Sequence, residues 1–188
     1  MNICVYGAAG SGIEEKFFRS AEELGEKMAE RGHSLVFGGG STGVMGSTVK
    51  GILDKGGKAI GVAPHFFRER RVLEENCTKM YYTDTMRERK LLLQELSDAF
   101  VVAPGGVGTM DEFFEILTLK QLGRHAKPIV IWNIHGYYNT LLTLLEEMKS
   151  TNFIYGDTLS LFRVFENTDE MLAFLEDDGD PSNDVTLN

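Results

Sequence analysis

The sequence has few cysteines and no long hydrophobic run. Its two cysteines, Cys4 and Cys77, match neither a zinc-ligand pair nor a disulfide framework, which favours a reducing compartment. No apolar stretch is long enough to span a membrane, and the first residues run directly into a strand-like segment without the pattern of a signal peptide. We therefore expect a cytoplasmic protein without a membrane partner.

Basic residues are also in short supply. The chain has 28 acidic against 19 basic residues and a formal net charge of −9, so the broad basic face that binds nucleic acid is not expected. A local basic cluster can still hold a small anion. The four histidines have no metal-ligand spacing, and no metal is predicted. The 188 residues, 43% of them hydrophobic, fit one globular domain.

Strand-like and helix-like segments alternate along the whole chain. Repeated strand–helix units predict an α/β fold, a single Rossmann-like, doubly wound parallel sheet with helices on both faces. Right-handed crossovers place the strand-to-helix loops near one edge of such a sheet, where ligands bind. The periodic pattern is lost over residues 65–76, where a surface loop or a short helix is expected. The domain is predicted to cover residues 1–176, and the acidic segment 177–188 is predicted to be disordered.

Glycine clusters follow three of the predicted strands, at residues 7–12, 38–46 and 105–109. Glycine lets a ligand approach the backbone closely, and the start of the next helix supplies free N–H groups and a positive dipole end. Any strand-to-helix turn favours glycine, but three such loops at one edge of the sheet indicate an anion-binding site.

Two common nucleotide-binding motifs are absent from the sequence. The first loop is not G-x-G-x-x-G, and the second strand ends in Phe37 and Gly38 where a dinucleotide-binding fold carries an acidic residue, which argues against NAD. Residues 51–58 resemble a P-loop only superficially, because Gly57 stands where lysine is required and the segment ends a helix. This argues against an ATP site.

The third glycine loop leads into a helix that carries two carboxylates. Thr109 is expected to be the N-cap of this helix, with Glu112 completing a capping box, so helix capping alone could explain Glu112. Glu115 lies one turn further along, and we expect both carboxylates to point toward one pocket.

Cations that could balance these acids begin the preceding helix. Taken alone, this basic run would indicate only a solvated face of the helix; it consists of Arg87, Arg89 and Lys90. Arginine offers two parallel donors to a phosphate, however, and lysine a point charge, so the combination of phosphate loop, acids and cations indicates catalysis.

Two motifs resemble those of a known family. Residues 104–112, Pro-Gly-Gly-Val-Gly-Thr-Met-Asp-Glu, resemble the P-G-G-x-G-T-x-x-E motif of the LOG (lonely guy) family, and residues 86–90, Met-Arg-Glu-Arg-Lys, resemble its companion M-x-x-R-K element. The likeness covers nearly the whole chain. Ala8 and Ala9 stand in the first glycine loop where relatives often carry serines.

The resemblance implies an enzyme that hydrolyses the N-glycosidic bond of a nucleoside 5′-monophosphate. The substrate class is AMP or an N6-substituted AMP such as a cytokinin nucleotide, and the products are the free base and ribose 5-phosphate. Glu112 is the implied carboxylate near C1′ and Arg89 the implied anchor of the phosphate or ribose. No cofactor is implied, and a homodimer is expected. The other implied substrate-binding residues are Ser11, Gly40, Thr42, Met86, Lys90, Gly105, Gly106, Val107, Gly108, Thr109 and Glu115.

Other functions remain as alternatives. Members of the family have been labelled lysine decarboxylases, but no lysine stands in a recognisable Schiff-base setting for pyridoxal phosphate. The same superfamily includes molybdenum-cofactor carriers, so a non-catalytic carrier or sensor of a phosphorylated ligand is the alternative function. A carrier needs the phosphate loop but not the acid, and the pairing of Arg89 with Glu112 therefore favours the hydrolase.

Overall fold

A seven-stranded parallel sheet forms the centre of the computed structural model, which describes residues 1–68 and 73–177. The strand order is β4-β3-β2-β1-β5-β6-β7. The strands are β1 (Asn2–Tyr6), β2 (Ser34–Phe37), β3 (Lys58–Pro64), β4 (Lys79–Thr83), β5 (Ala99–Val102), β6 (Ile129–Trp132) and β7 (Arg163–Phe165).

Seven α-helices lie in the described residues; six connect successive strands and α7 follows β7. They are α1 (Glu15–Glu30), α2 (Gly43–Asp54), α3 (His65–Arg68), α4 (Met86–Leu96), α5 (Val107–Gln121), α6 (Asn139–Ser150) and α7 (Thr168–Glu176). Two 3₁₀ turns, Ile134–Gly136 and Thr158–Leu161, precede α6 and β7. Over these ranges the structure confirms the predicted α/β fold.

The hydrophobic pattern explains the layers. All four residues of β5 and of β6 are buried, because a parallel sheet is covered by helices on both of its faces. Alternate side chains of the central strands enter two separate cores: Ile3 and Val5 pack with α1, α2 and α7, while Cys4 and Tyr6 pack with α4, α5 and α6. No helix within residues 1–68 and 73–177 combines the length and hydrophobicity needed to cross a bilayer.

The order in which successive strands are added to the sheet reverses at β1. The chain moves outward from β1 through β2 and β3 to β4, and then α4 crosses back so that β5 pairs with the other side of β1. Such a reversal leaves a crevice beyond the carboxyl ends of the two strands, where open α/β sheets bind their ligands.

The capping box predicted at Thr109 is wrong. Helix α5 begins at Val107 with Gly106 as its N-cap, so Thr109 already lies inside the first turn. Its hydroxyl packs so closely on Gly105 that a Cβ atom there would lie 2.1 Å from Thr109 Oγ1. A capping box does form at α4, where Thr85 Oγ1 accepts the Glu88 N–H at 3.1 Å and the Glu88 carboxylate accepts the Thr85 N–H at 3.4 Å.

Two predictions concern residues that the structure does not describe. The surface segment at 65–76 begins with the short helix α3, while residues 69–72 lie outside the described part of the chain. The disorder predicted for residues 177–188 falls, apart from Asp177, on undescribed residues, and the domain boundary at residue 176 stays a prediction.

Candidate active site

A cavity of about 550 Å³ lies at the crevice beyond β1 and β5. All three glycine loops reach it, together with the starts of α4 and α5. The residues around the cavity are Gly7, Ala8, Ala9, Gly10, Gly38, Gly40, Thr42, Met45, Phe67, Met86, Arg89, Gly106, Gly108, Thr109, Asp111 and Glu112.

An ion pair between Arg89 and Glu112 forms the polar wall of the cavity. Arg89 Nη1 donates to Glu112 Oε1 at 2.8 Å, and both side chains are largely buried. Arg89 Nε also donates to the Val62 carbonyl at 3.2 Å, and Nη2 donates to the Gly38 carbonyl at 3.5 Å. The backbone near the carboxyl ends of β2 and β3 therefore holds the guanidinium, together with the Glu112 carboxylate.

Gly38 is required by the position of Arg89. A Cβ atom at residue 38 would lie 1.9 Å from Arg89 Nη2, so any other residue would displace the guanidinium. The second glycine loop thus makes room for the ion pair. This is a reason for glycine that differs from direct ligand binding.

Burial raises the pKa of the Glu112 carboxyl above its ordinary value. The charge and the hydrogen bond of Arg89 oppose this effect without cancelling it. A carboxylate held in this balance exchanges a proton closer to neutral pH than an exposed glutamate does, which suits general acid–base chemistry. Perturbed carboxyls in clefts are characteristic of functional sites.

The start of α5 supplies backbone donors to the same cavity. No side chain caps the helix at Gly106, and the first N–H groups of a helix have no partner within it. The Cα atoms of Gly106 and Gly108 border open space, because a Cβ atom at either position would meet nothing within 4 Å. The arrangement is typical of a phosphate site at a helix N-terminus.

The first two glycine loops are tied to each other. Thr42 Oγ1 donates to the Ala9 carbonyl at 2.7 Å, and the Met45 N–H donates to the Ala8 carbonyl at 3.1 Å. Gly43 has φ of 74°, and a Cβ atom there would lie 2.3 Å from the Ala8 carbonyl oxygen. Close packing of the two loops thus shapes one wall of the cavity.

Several residues implied by the resemblance do not line the cavity. Ser11 lines a neighbouring hollow that shares Thr42 with the cavity, and Val107 points outward with 88% exposure. Gly105 lies beneath the Thr109 side chain. Eight of the implied residues do surround the cavity: Gly40, Thr42, Met86, Arg89, Gly106, Gly108, Thr109 and Glu112.

Glu115 and Lys90 bind each other outside the cavity. Lys90 Nζ pairs with Glu115 and lies 3.1 Å from Asp111 Oδ2, which joins the outer faces of α4 and α5. The expectation that Glu112 and Glu115 point into one pocket is therefore wrong. Residues three apart on a helix are offset by about 60°, which is enough to turn Glu115 away toward Lys90.

Apolar side chains form the remaining wall, and two of them were not expected there. Met45 and Phe67 line the cavity together with Met86. Phe67 lies on α3, in a segment whose sequence has no periodic pattern, so no local signal identifies it. Met45 belongs to the second glycine cluster and points inward from the first turn of α2.

The structure assigns no chemistry to the cysteines. Both are free, and burial raises the pKa of the Cys4 thiol to about 12, so this thiol stays protonated. Within residues 1–68 and 73–177, no cluster of three His, Cys, Asp or Glu side chains is placed to hold a metal ion.

Comparison with known proteins places this chain in a family. A family described as "Possible lysine decarboxylase" matches residues 45–175. A cytokinin riboside 5′-monophosphate phosphoribohydrolase of Arabidopsis thaliana is 32% identical over 175 residues, covering 93% of this chain and 82% of the relative. The LOG protein of Oryza sativa subsp. japonica, of the same name, is 35% identical over 175 residues, covering 93% of this chain and 72% of the relative.

Solved structures share the fold at lower identity. A molybdenum cofactor binding protein of Rippkaea orientalis superposes with a TM-score of 0.72 at 19% identity, covering 95% of this chain and 97% of that one. The Moco carrier protein of Chlamydomonas reinhardtii gives 0.70 at 24% identity, covering 94% and 95%. These two likenesses concern the fold alone. The plant relatives, in contrast, are more than 30% identical to this chain over most of their own length, and the chain therefore belongs to the LOG family.

Proposed function

We propose that this protein hydrolyses the N-glycosidic bond of a nucleoside 5′-monophosphate and releases the free base and ribose 5-phosphate. The observation that carries the proposal is the buried ion pair of Arg89 and Glu112 beside the open helix start at Gly106. The family's relatives carry the name cytokinin riboside 5′-monophosphate phosphoribohydrolase, which supports the same reaction class.

Glu112 is the proposed catalytic residue. As the C1′–N bond breaks, the bonding electron pair leaves with the base and positive charge develops on the sugar. A carboxylate beside C1′ stabilises that charge, and it can take a proton from the water that adds to C1′. The raised pKa of Glu112 allows this proton to pass on to the departing base nitrogen, so that water supplies OH to C1′ and H to the base.

Arg89 has a double role in this proposal. Its bonds to the Val62 and Gly38 carbonyls fix the guanidinium, and a third N–H group donates to Glu112. The first role of Arg89 is therefore to keep the Glu112 carboxylate ionised and oriented. A guanidinium has five N–H groups, and the remaining two can reach the ribose or the phosphate of a ligand in the cavity.

The two ends of the substrate find different surroundings in the cavity. We place the 5′-phosphate at the N-terminus of α5, where free N–H groups and the helix dipole favour an anion. We place the base against Met45, Phe67 and Met86, since apolar and sulfur-containing side chains pack well on flat aromatic rings.

The decisive experiment compares two substitutions on one helix. Glu112→Gln keeps the size and hydrogen-bonding capacity of the side chain but removes the charge, so turnover of AMP or N6-isopentenyl-AMP should fall at least about 100-fold. Base release is followed by chromatography. Glu115→Gln is the matched control: it makes the same change three residues along, outside the cavity, and should retain turnover within about twofold.

Two outcomes would count against the proposal. An equal loss of activity in both variants would mean that charge removal acts through the helix rather than through the site. Tight binding of a phosphorylated ligand by the wild type, without release of a base from any nucleoside monophosphate, would instead favour a non-catalytic carrier.

A further inference from the structure

Three successive carbonyl groups of the loop between β5 and α5 are held by donors from outside the loop. Tyr138 donates its hydroxyl to the Ala103 carbonyl at 2.7 Å, and the Ala8 N–H donates to the Pro104 carbonyl at 3.0 Å. Tyr137 donates its hydroxyl to the Gly105 carbonyl at 2.8 Å. The backbone that leads into the start of α5 is thus fixed one peptide at a time.

The two tyrosines reach the loop from the connection between β6 and α6. This connection turns through His135 and Gly136, whose φ values of 58° and 68° are both left-handed. A left-handed histidine is unfavourable unless its surroundings hold it, and His135 Nε2 is hydrogen-bonded to Ser20 Oγ at 3.1 Å.

Packing and side-chain hydrogen bonds keep the tyrosines in place. The Tyr137 ring meets Phe17 of α1 edge-on, with 5.6 Å between the ring centroids. The Tyr138 N–H donates to Asn133 Oδ1 at 2.7 Å, and Asn133 Nδ2 donates to Asn139 Oδ1 at 2.8 Å. Both hydroxyls are therefore presented to the loop by a connection that is itself anchored.

The hydroxyl of Tyr137 controls the direction of a donor. In a planar trans peptide the C=O and the next N–H point in opposite directions, and the Gly105–Gly106 peptide is trans. Holding the Gly105 carbonyl toward Tyr137 therefore turns the Gly106 N–H to the opposite side. Gly106 lines the cavity and Tyr137 does not.

Tyr138 makes a similar bond without this consequence, and its hydroxyl also contacts the backbone of Gly105, which does not line the cavity. The peptide after Ala103 ends at Pro104, whose nitrogen carries no hydrogen, so the bond from Tyr138 orients no donor through that peptide. The two neighbouring tyrosines thus differ in one respect that an experiment can use.

We propose that Tyr137 is a positioning residue for the phosphate of the ligand: its hydroxyl orients the Gly106 N–H at the start of α5. The proposal rests on the phosphate placement argued under the proposed function. Without the hydroxyl the Gly105–Gly106 peptide can rotate, and part of the phosphate affinity is lost while the acid–base chemistry at Glu112 is unchanged.

The test compares Tyr137→Phe with Tyr138→Phe. Tyr137→Phe should raise KM for AMP about tenfold, the effect of one misdirected hydrogen bond to a charged group, and leave kcat within about twofold. It should also weaken ribose 5-phosphate binding, measured by calorimetry, about tenfold without changing inhibition by free adenine. Tyr138→Phe, at a buried position, should lower the melting temperature but leave both affinities for phosphorylated ligands unchanged.

The outcomes separate this proposal from the proposed function. If the wild type releases no base from any nucleotide, the hydrolase proposal fails, but the calorimetric comparison still decides the role of Tyr137. Equal affinity of wild type and Tyr137→Phe for ribose 5-phosphate would overturn that role. Equal losses of affinity in both tyrosine variants would overturn it too, and a wild type that binds no ribose 5-phosphate would overturn both that role and the phosphate placement on which it rests.

Discussion

Glu112 shows at the scale of one residue how burial and charge oppose each other. Burial raises the pKa of its carboxyl, and the neighbouring Arg89 lowers it by a smaller amount. Because the folded pKa lies above the unfolded value, the folded chain binds this proton more tightly. The stabilisation that protonation provides is fully present below the unfolded pKa and is lost as the pH rises through the folded pKa. Charged Glu112 is therefore a cost to folding at neutral pH.

Removing Arg89 should raise the pKa of Glu112 further. In Arg89→Met the attractive charge is gone while the carboxyl stays buried, so its titration midpoint should move to higher pH than in the wild type. Titration of selectively ¹³C-labelled glutamate carboxyls by NMR measures both midpoints, and Glu112→Gln identifies the signal. The residual kcat/KM should lose its activity on the acidic side at a correspondingly higher pH.

The same titration distinguishes the two roles of Arg89. If Arg89 serves only to bind the phosphate, Arg89→Met will raise KM and leave the midpoint of Glu112 where it was. An unchanged midpoint would thus contradict the role of Arg89 in keeping the carboxylate ionised.

At the scale of elements, two glycines allow α1 and α2 to cross at close range. A Cβ atom at Gly25 would lie 2.1 Å from the Thr48 carbonyl oxygen, and one at Gly51 would lie 2.0 Å from the Glu22 carbonyl oxygen. Each helix therefore presents a glycine to the backbone of the other. This contact matters for the site because α2 begins with the Thr42 and Gly43 turn of the second glycine loop.

Gly25→Ala should destabilise the protein although alanine is the better helix former. The helix propensity of alanine favours the variant by about 1 kcal/mol, but a backbone oxygen at 2.1 Å cannot move without separating the helices. The overpacking term is about 1–3 kcal/mol or more, and we expect it to prevail. Urea denaturation measures the free energy of unfolding.

Gly12→Ala is the control for this prediction. A Cβ atom at residue 12 would meet nothing within 4 Å, so its free energy of unfolding should change by less than about 0.5 kcal/mol. A Gly25→Ala variant as stable as the wild type would show that the two helices can move apart without loss.

At the scale of the whole molecule, α4 and α5 each keep a large apolar side chain exposed. Leu91 is 52% exposed and Phe114 is 39% exposed, and the Lys90 ion pairs hold their two helices together. The two helices border the cavity through Met86 and Asp111. We propose that the predicted homodimer forms on this side of α4 and α5, because exposed large apolar side chains are common at protein interfaces.

The proposed dimer is tested by its molecular mass in solution and by introducing charged residues into the proposed interface. Light scattering after gel filtration should give about twice the 21.0 kDa of one chain, and Leu91→Glu combined with Phe114→Glu should give the monomer. Phe153→Glu is the matched control, since Phe153 is 78% exposed and lies on neither α4 nor α5. A monomeric wild type, or a dimer that survives the double substitution, would contradict this interface.

Much of the fold could be predicted because its signals are local. The apolar runs at residues 100–103 and 129–132 predict two buried strands, and the helical spacing over residues 14–31 predicts a helix; the structure has β5 at Ala99–Val102, β6 at Ile129–Trp132 and α1 at Glu15–Glu30. The meeting of the three glycine loops at one edge follows from the handedness of the crossovers. The helix α5 begins earlier than the sequence predicts, because Gly106, in an extended conformation and without a capping side chain, already serves as its N-cap.

The sequence by itself determined the architecture and the pairing of an arginine with a carboxylate. Only the tertiary structure decided which carboxylate faces the cavity. Helix α4 crosses back over β3, β2 and β1 on its way from β4 to β5, and this crossing brings Arg89 to Val62, Gly38 and Glu112 while it turns Lys90 toward Glu115. The direction of each side chain depends on how the helices pack on the sheet, which no local pattern encodes. The inward position of Phe67 and the hydrogen bond from the Tyr137 hydroxyl to the Gly105 carbonyl likewise depend on tertiary packing.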